Sequence, residues 1–380
     1  MGRPTCLPAA ARFRHTEPGR TDAAGAARVT SAELWYGTSS AARVLSAVLA
    51  PLGWLYCGIA AVRAAGFRRG WLSSFDCGAP VLVVGNLSVG GTGKTPLVRW
   101  LMGHLADVGL RPGIASRGYA AAGSASAPVR RVPADGDPTI YGDEPVLLAA
   151  DGLAPVVVGR DRVAVARALV HEHGCNVVIS DDGLQHYRLR RQCEILVVDG
   201  ARGYGNGRCL PAGPLREPRG RAARSDLAIA TGGGQPGLPA MLLEPGLAVS
   251  LDEPADCRPL GAFAGRRVTA VAGIGNPGRF FLMLTAHGLE VDARPYPDHH
   301  RFSLADLGTW GNGPVLMTEK DAVKVRRLQP AAGRPWSALW AVPVAAVPGP
   351  EFVAALDRLL ARRGILPGHT AATGGSDCGR

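Results

Sequence analysis

The stretch SVGGTGKTP, residues 88–96, limits the possible folds of this chain more than any other feature. It follows PVLVVGN, a run of apolar and β-branched residues typical of a buried strand. It precedes TPLVRWLMGHLADVG, in which apolar residues recur at helical spacing. Strand, glycine-rich turn and helix, in this order, are the context of a phosphate-binding loop. We therefore expect an α/β domain that binds a nucleotide.

The residues of this loop have separate predicted roles. The general pattern is G-x-x-x-x-G-K-[ST], and Ser88 stands where that pattern has its first glycine. Backbone N–H groups freed by the glycines would converge on phosphate oxygens, Lys94 would reach the β- and γ-phosphates, and the Thr95 hydroxyl would bind Mg²⁺. The residues predicted to hold ATP are Ser88, Val89, Gly90, Gly91, Thr92, Gly93, Lys94 and Thr95.

An acidic pair follows a second apolar strand. The segment VVISDDG ends in Asp181 and Asp182. A nucleotide-binding loop needs a carboxylate at a neighbouring strand end to orient its metal ion. We predict that these aspartates bind Mg²⁺ together with Thr95, and the sequence leaves open which aspartate binds directly. On its own, such a pair would ordinarily be a solvated turn.

Repeated strand and helix patterns predict the architecture. The segments PGIASRGY, APVVVGRDRVAVARALV, CNVVISDDG and CEILVVDG each contain a short apolar strand that ends in turn residues. This alternation predicts an α/β fold with a mostly parallel sheet covered on both faces. The predicted divisions are a disordered tail over 1–32, the P-loop domain over 78–231, a Gly- and Pro-rich linker over 232–264, a smaller α/β domain over 265–344, and a C-terminal helix and tail over 345–380.

An uncharged segment precedes the P-loop domain. Residues 44–62, VLSAVLAPLGWLYCGIAAV, approach the ~20 apolar residues that span a bilayer, although Pro51 and Gly53 weaken that prediction. Trp54 and Tyr56 suit a membrane interface. We predict that residues 33–77 form a membrane-associated helical anchor, either spanning or interfacial. A buried helix of a soluble domain is the alternative.

Charge and cysteine content bound the partners. The net charge of +11 suits nucleic acid, an anionic membrane surface or a phosphorylated substrate. No nucleic-acid module is visible and basic residues are not interleaved with aromatic ones, so nucleic acid is not expected. The 8 cysteines show no paired spacing and predict scattered reduced thiols in the cytoplasm.

Seven separated blocks resemble the tetraacyldisaccharide 4'-kinase family. In chain order they are VGNLSVGGTGKTP, YGDEPVLLA, GRDR, SDDGLQHYRL, LPAGPLREP, PDHHRF and MTEKDAVK. The resemblance covers about residues 34–344, and this family accepts a hydroxylated residue at the position of Ser88. It implies a P-loop kinase of lipid A biosynthesis at the cytoplasmic face of the inner membrane. That enzyme would use ATP and Mg²⁺ to phosphorylate the 4'-hydroxyl of a tetraacylated glucosamine disaccharide 1-phosphate, and the sequence shows no obligate protein partner.

The resemblance also implies site residues. Asp143 of YGDEP and His299 of PDHHRF match a catalytic Asp–His pair, and Lys94 and Arg216 are the other expected catalytic residues. Glu144 is expected near the metal ion. Among the candidate anion contacts Arg117, Arg160 and Arg162, Arg160 is the first choice because its GRDR motif matches the family. The other roles that stay open are His300 as a substitute for His299, Glu217 as a metal contact, and Gln185 and His186 as orienting or packing residues.

Two motifs admit a second interpretation. GIGNPG, residues 273–278, fits the G-x-G-x-x-G dinucleotide pattern, but Asp292 follows too soon to be the ribose-binding acid. We expect a tight strand-to-helix turn there. MTEKDAVK has some likeness to the guanine-reading N-K-x-D motif but lacks its asparagine. Helix capping is the simpler expectation, and purine recognition stays open.

Overall fold

The computed structural model describes residues 29–118, 129–328 and 338–366. Residues 1–28 of the predicted tail and the end of the chain after residue 366 lie outside this part. Its helices are α1 (Ser31–Tyr36), α2 (Ser40–Arg68), α3 (Lys94–Asp107), α4 (Pro138–Tyr141), α5 (Asp143–Ala150), α6 (Arg162–His171), α7 (Pro277–Ala286), α8 (Leu304–Gly308), α9 (Glu319–Val325) and α10 (Pro350–Arg362), with 3₁₀ turns at Arg219–Arg224 and Leu260–Phe263.

The larger sheet has nine strands, and its centre is parallel. The strands are β1 (Val81–Gly85), β2 (Pro112–Ser116), β3 (Arg130–Arg131), β4 (Val156–Val158), β5 (Val177–Asp181), β6 (Cys193–Asp199), β7 (Leu227–Thr231), β8 (Ala240–Pro245) and β15 (Val344–Pro348), in the order β15-β8-β7-β6-β1-β5-β2-β4-β3. Only the edge strands β3 and β15 pair antiparallel. Because β1 lies between β5 and β6, the ends of these three strands meet at one edge of the sheet.

The smaller sheet has six strands in the order β10-β9-β14-β13-β11-β12. They are β9 (Ala248–Ser250), β10 (Cys257–Arg258), β11 (Arg267–Ala272), β12 (Glu290–Pro295), β13 (Val315–Thr318) and β14 (Leu339–Val342). The two sheets and the helices between their strands agree with the predicted α/β class. The structure differs from the predicted linker, because residues 232–264 contain β8, β9 and β10. These strands are two to six residues long, too short for a clear alternating pattern.

Helix α2 lies along the body of the larger domain for most of its length. Its small residues Ala42, Ser46, Ala50 and Gly53 are buried and follow one another at helical spacing. Ser46 Oγ donates to the carbonyl oxygen of Ala212 at 2.7 Å, and near the other end Arg63 donates to the carbonyl oxygen of Gln185 at 3.1 Å. The small side chains therefore let the helix backbone pack closely on the loop that precedes Arg216.

The opposite face of α2 is apolar and exposed. Val48, Leu52, Leu55, Ile59 and Val62 form a stripe in which every side chain is at least 55% exposed. Within the described residues, α2 is the one helix long and apolar enough to cross a membrane, with a hydropathy of 1.8 over its most apolar window. A stripe of this size on a protein surface marks an interaction site.

One pair of cysteines differs from the expectation of reduced thiols. Cys57 of α2 forms a disulfide with Cys209, and their Cα atoms are 5.9 Å apart. The two residues are 152 positions apart, so no local spacing could have paired them. Cys77, Cys175, Cys193 and Cys257 are free thiols.

Candidate active site

The phosphate-binding loop joins β1 to α3. Gly90 and Gly93 have φ angles of 106° and 82°, which are accessible to glycine at little cost. Ser88 is buried and pairs with Leu215 across a β-bridge, so its side chain belongs to the entry of the loop. Lys94 Nζ lies 3.1 Å from Asn86 Oδ1 and 3.3 Å from Asp182 Oδ1. The side chain of Lys94 therefore points toward the acidic pair.

The acidic pair lies beside this loop because β5 is the parallel neighbour of β1, with Val84 opposite Asp181. Asp182 forms ion pairs through both of its oxygens: Oδ1 with Lys94, and Oδ2 with Arg216 Nη1 at 2.8 Å. Burial alone would raise the pKa of Asp182, but these two cations hold it far below its ordinary value. Burial, together with the charges of Glu144 and Asp182, raises the pKa of Asp181 to about 7.

The raised pKa of Asp181 predicts a gain in stability on removing its charge. The folded protein binds this proton more tightly than the unfolded chain, so stability is lost as the pH rises from about 4 toward about 7. We expect Asp181→Asn to stabilise the metal-free protein at pH 8 by about 1–3 kcal/mol, the cost of an uncompensated buried charge. Urea unfolding in EDTA measures this, and the gain should disappear at pH 4.

The structure pairs Asp143, the first residue of α5, with His299 in the loop after β12. His299 Nδ1 lies 3.1 Å from Asp143 Oδ2 and 3.2 Å from Oδ1. Burial would raise the pKa of Asp143, but the bond to His299 and the charge of Lys320 lower it to about 2. The same bond raises the pKa of His299 above its ordinary value, against its burial. The two sheets each contribute one member, so the pair forms only where the domains meet.

His299 has a φ angle of 60°, which is uncommon for a residue other than glycine. His300, in contrast, contacts Asp306 at 3.4 Å and packs on Tyr296 and Phe302. The sequence left both histidines open, and in the structure His299 is the partner of Asp143.

A cavity of about 210 Å³ lies beside the loop and extends to Glu144, the residue next to Asp143. Gly91 to Pro96 line one side, Glu144 and Lys320 lie at the Asp143 end, and residues of both domains form the opposite wall. That wall is mainly apolar and suits a flat heterocycle. The residues that form it are Leu243, Ile274, Phe280, Met283, Val342 and Val344.

Comparisons with known proteins identify the family to which this chain belongs. The model of the family described as tetraacyldisaccharide-1-P 4'-kinase, LpxK, matches residues 45–361. The chain belongs to this family. The tetraacyldisaccharide 4'-kinase of Alkalilimnicola ehrlichii is 50% identical over 322 residues, which cover 83% of this chain and 92% of that protein. The corresponding kinase of Chromobacterium violaceum is 48% identical over 318 residues, covering 81% and 92%.

A solved structure agrees with the sequence matches. The crystal structure of the "apo" form of LpxK from Aquifex aeolicus, described as a complex with ATP, superposes with a TM-score of 0.67 at 29% identity. It covers 84% of this chain, and 99% of its own chain is matched. The family, the fold and the kinase function in lipid A biosynthesis predicted from the sequence are therefore confirmed.

Within this kinase, the arginines predicted as anion contacts have different surroundings. Arg216 contacts Asp182 at the edge of the site. Arg162 is buried beneath the acidic pair and donates to the carbonyl oxygen of Asp181 at 2.9 Å, so it supports that strand end from below. Arg117 and Arg160 are exposed. Sequence reasoning favoured Arg160 over Arg162, because burial is not visible in an arginine-rich motif.

Gln185 and His186, the two residues predicted to orient the acidic pair, have different surroundings. Gln185 donates to the carbonyl oxygen of Asn86 at 3.4 Å, next to the loop. Burial and nearby arginines lower the pKa of His186 to about 4, so this histidine is neutral at physiological pH. Glu217 is buried, and one of its oxygens accepts a hydrogen bond from Tyr187 at 2.6 Å while the other has no hydrogen-bond partner.

The family implies Mg²⁺, and the buried oxygens fit it. Asp181 Oδ1 is buried without a hydrogen-bond partner, as is expected of an oxygen that waits for a cation. Among the described residues, no group of three or more His, Cys, Asp or Glu side chains could hold a metal ion. Mg²⁺ is usually held by one or two carboxylates, substrate phosphates and water, so its binding does not require such a group. Lys320 engages one oxygen of Glu144 at 3.0 Å.

The two ambiguous motifs each join a strand of the smaller sheet to a helix. GIGNPG connects β11 to α7, and a Cβ atom on Gly275 would overlap the backbone nitrogen of Gly91. In MTEKDAVK, the Thr318 side chain caps α9, and Asp321 accepts the backbone N–H of Gly273 at 2.8 Å. The second domain therefore contacts the phosphate-binding loop directly through its glycine turn.

Proposed function

We propose that this chain transfers the γ-phosphoryl group of ATP to the 4'-hydroxyl of a tetraacyldisaccharide 1-phosphate, with the Asp143–His299 pair as the proton acceptor. The observation that carries the proposal is the hydrogen bond between these residues across the domain boundary, 3.1 Å long, beside the phosphate-binding loop. Asp143 is ionised at physiological pH because its pKa is about 2. A proton leaving the attacking hydroxyl therefore has an acceptor in place.

The other residues position the two substrates. As the hydroxyl oxygen bonds to the γ-phosphorus, the bond from that phosphorus to the bridging oxygen breaks and ADP leaves. Backbone N–H groups of residues 90–95 bind the β- and γ-phosphates, and Lys94 neutralises their charge. When bound, Mg²⁺ would supply positive charge that stabilises the negative charge developing on the transferred group. Thr95, Asp181 and Asp182 would hold it, with Glu144 a further predicted ligand, and Arg216 keeps Asp182 in place.

The apolar wall of the cavity suits the adenine ring. Phe280 and Met283 come from α7 of the smaller domain, whereas Leu243 comes from the larger sheet. A base held between them would draw the two domains together, and closure would exclude water from the transferred phosphoryl group.

We further propose that α2 lies in the membrane interface at the cytoplasmic face of the inner membrane. Its small-residue face packs on the protein body while its apolar stripe faces outward, the arrangement of an interfacial helix. Packing at both ends of the helix argues against a spanning orientation. The acceptor, whose acyl chains stay in the bilayer, would then present its sugar to the nearby site.

This placement predicts that charge in the stripe releases the enzyme from membranes. The double substitution Leu52→Glu and Leu55→Glu should lower binding to anionic liposomes at least about tenfold. Moving two leucine side chains from water into the membrane is worth several kcal/mol, and the substitutions remove this gain. Flotation of the protein with vesicles measures it. Activity on detergent-dispersed acceptor should persist. Leu282→Glu is the matched control, since this leucine is 56% exposed on α7 of the smaller domain. Equal flotation of all three proteins would contradict the interfacial placement.

The test of the proposed reaction is transfer of label from ATP labelled in its γ-phosphate to detergent-dispersed tetraacyldisaccharide 1-phosphate. We expect labelled lipid only when a divalent cation is present. Labelled inorganic phosphate without labelled lipid would leave the nucleotide site intact but would assign the chain a different acceptor.

A further inference from the structure

Lys320 lies among three carboxylates at the domain boundary. Its Nζ is 3.0 Å from Glu144 Oε1, 3.3 Å from Asp298 Oδ1 and 3.8 Å from Asp143 Oδ2. The side chain is only 15% exposed. A lysine ammonium has three donor protons and is a compact charge, so it can serve several oxygens at once. The chain contains two other lysines, Lys94 and Lys324, among 42 basic residues.

Glu319, the residue before Lys320, is linked through Arg99 to the C-terminal end of α5. Glu319 contacts Arg99 at 2.9 Å, and Arg99 also contacts Asp151, the residue that caps the end of α5, at 2.6 Å. Lys320 meanwhile contacts Asp143 and Glu144 at the start of α5. Two consecutive residues of α9 therefore fix both ends of the eight-residue helix that presents Asp143.

The start of α9 is linked to the phosphate-binding loop through the turn that begins at Gly273. Asp321 accepts the side-chain hydroxyl of Thr318 at 2.7 Å and the backbone N–H of Gly273 at 2.8 Å. Gly273 begins the turn whose Gly275 packs on Gly91. The position of Lys320 is thus coupled to the contact between the smaller domain and the loop that binds phosphate.

We propose that Lys320 is a positioning residue for phosphoryl transfer: it orients the Asp143 carboxylate toward His299 and does so only when the two domains are closed on the nucleotide. This inference rests on the proposed role of Asp143 and His299. The lysine crosses the boundary to reach Asp143 and Glu144, so opening of the domains separates it from both. Proton acceptance is thereby confined to the closed enzyme.

The pH dependence distinguishes this role from simple structural support. The charged groups that face Asp143 are His299, from the loop after β12, and Lys320 and Lys324, from α9. Those that face His299 are Asp143, Asp298 and Lys320. The positive charge of Lys320 lowers the pKa of His299. Its removal raises this pKa, so His299 becomes protonated at higher pH.

The experiment compares Lys320→Met with Glu319→Gln in the full-length enzyme over pH 5 to 9. Lys320→Met should lower kcat about 10²-fold, the cost of a misplaced reacting group, and should move the acid limb of the pH profile to higher pH. Glu319→Gln breaks the neighbouring boundary contact but leaves Lys320 in place, so it should lose less than about tenfold with an unmoved acid limb.

Lys320→Arg keeps the inference testable if the methionine variant is unstable. The guanidinium retains the charge but is planar and cannot replace a compact ammonium among three carboxylates. We expect the acid limb to return to its wild-type position while kcat recovers only in part. Thermal unfolding of each variant establishes that it is folded.

Two results would overturn the inference. One is wild-type kcat in Lys320→Met, and the other is a loss of activity in that variant with an unmoved acid limb. Failure of the underlying proposal has a different signature: Asp143→Asn would then retain activity, whatever Lys320→Met does.

Discussion

Asparagine in place of Asp143 is expected to lower kcat by about 10²–10⁴-fold, the contribution of a general base. The amide keeps the size of the carboxylate and can still accept a hydrogen bond from His299, so the local geometry survives. It cannot take up a proton. Steady-state rates at saturating ATP and acceptor, with nucleotide affinity measured separately, check the prediction. The loss should fall equally on kcat and on kcat/KM, because the interaction is made in the transition state.

The matched control is Asp357→Asn, which removes an aspartate carboxylate far from the cavity. Asp357 lies on α10 and contacts His104 at 2.7 Å, with 42% of its side chain exposed. Exposed pairs of this kind contribute about 0–1 kcal/mol, so activity should stay close to wild type. Undiminished turnover by Asp143→Asn would move the proton acceptor to another residue.

Methionine in place of Lys94 is expected to lower kcat by about 10²–10³-fold or more, the cost of removing one preorganised donor of the transition-state charge. Nucleotide affinity should fall as well, since the loop loses its charged side chain. Lys94→Arg should not rescue the activity, because a planar fork cannot fit between Asn86 and Asp182 as an ammonium does. Rates and ATP binding measured for both variants test this. Rescue by arginine would mean that only charge matters at this position.

The sequence predicted the strand, turn and helix around the phosphate-binding loop because their determinants are local. The strand, glycine turn and helix around Lys94 are contiguous, and a run of five buried residues ends at Asp181. Parallel pairing of β1 with β5 then fixes the register that brings Asp181 beside the loop. The motifs SVGGTGKTP and VVISDDG, together with parallel strand pairing, were sufficient to predict that Asp181 lies near the loop.

The acceptor side depended on contacts between distant parts of the chain. His299 and Asp143 are 156 residues apart, and a DHH segment in a loop has no pattern of its own that selects a catalytic histidine. It was found through the resemblance to a family. The sequence did not pair Lys320 with Asp143 and Glu144, because these two charge partners lie on another domain. Its rarity among so many arginines was the one available signal.

The packing of α2 was readable in part. The apolar character of residues 44–62 was clear, but it conceals the second pattern, the small residues Ala42, Ser46, Ala50 and Gly53 on the buried face. Only the packed structure distinguishes a helix that lies on the protein body from one that spans a bilayer. The disulfide between Cys57 and Cys209 escaped prediction for the same reason, since the helix brings distant residues together.

The measurement that tests the central claim most directly is the position of the transferred phosphate. The enzyme is incubated with γ-labelled ATP and either tetraacyldisaccharide 1-phosphate or the same lipid with its 4'-hydroxyl methylated, and the products are analysed by mass spectrometry. Our account predicts a product with one additional phosphate, located on the 4'-oxygen, from the free hydroxyl and none from the methylated lipid. Phosphorylation of the methylated lipid, or hydrolysis of ATP without any lipid product, would contradict it.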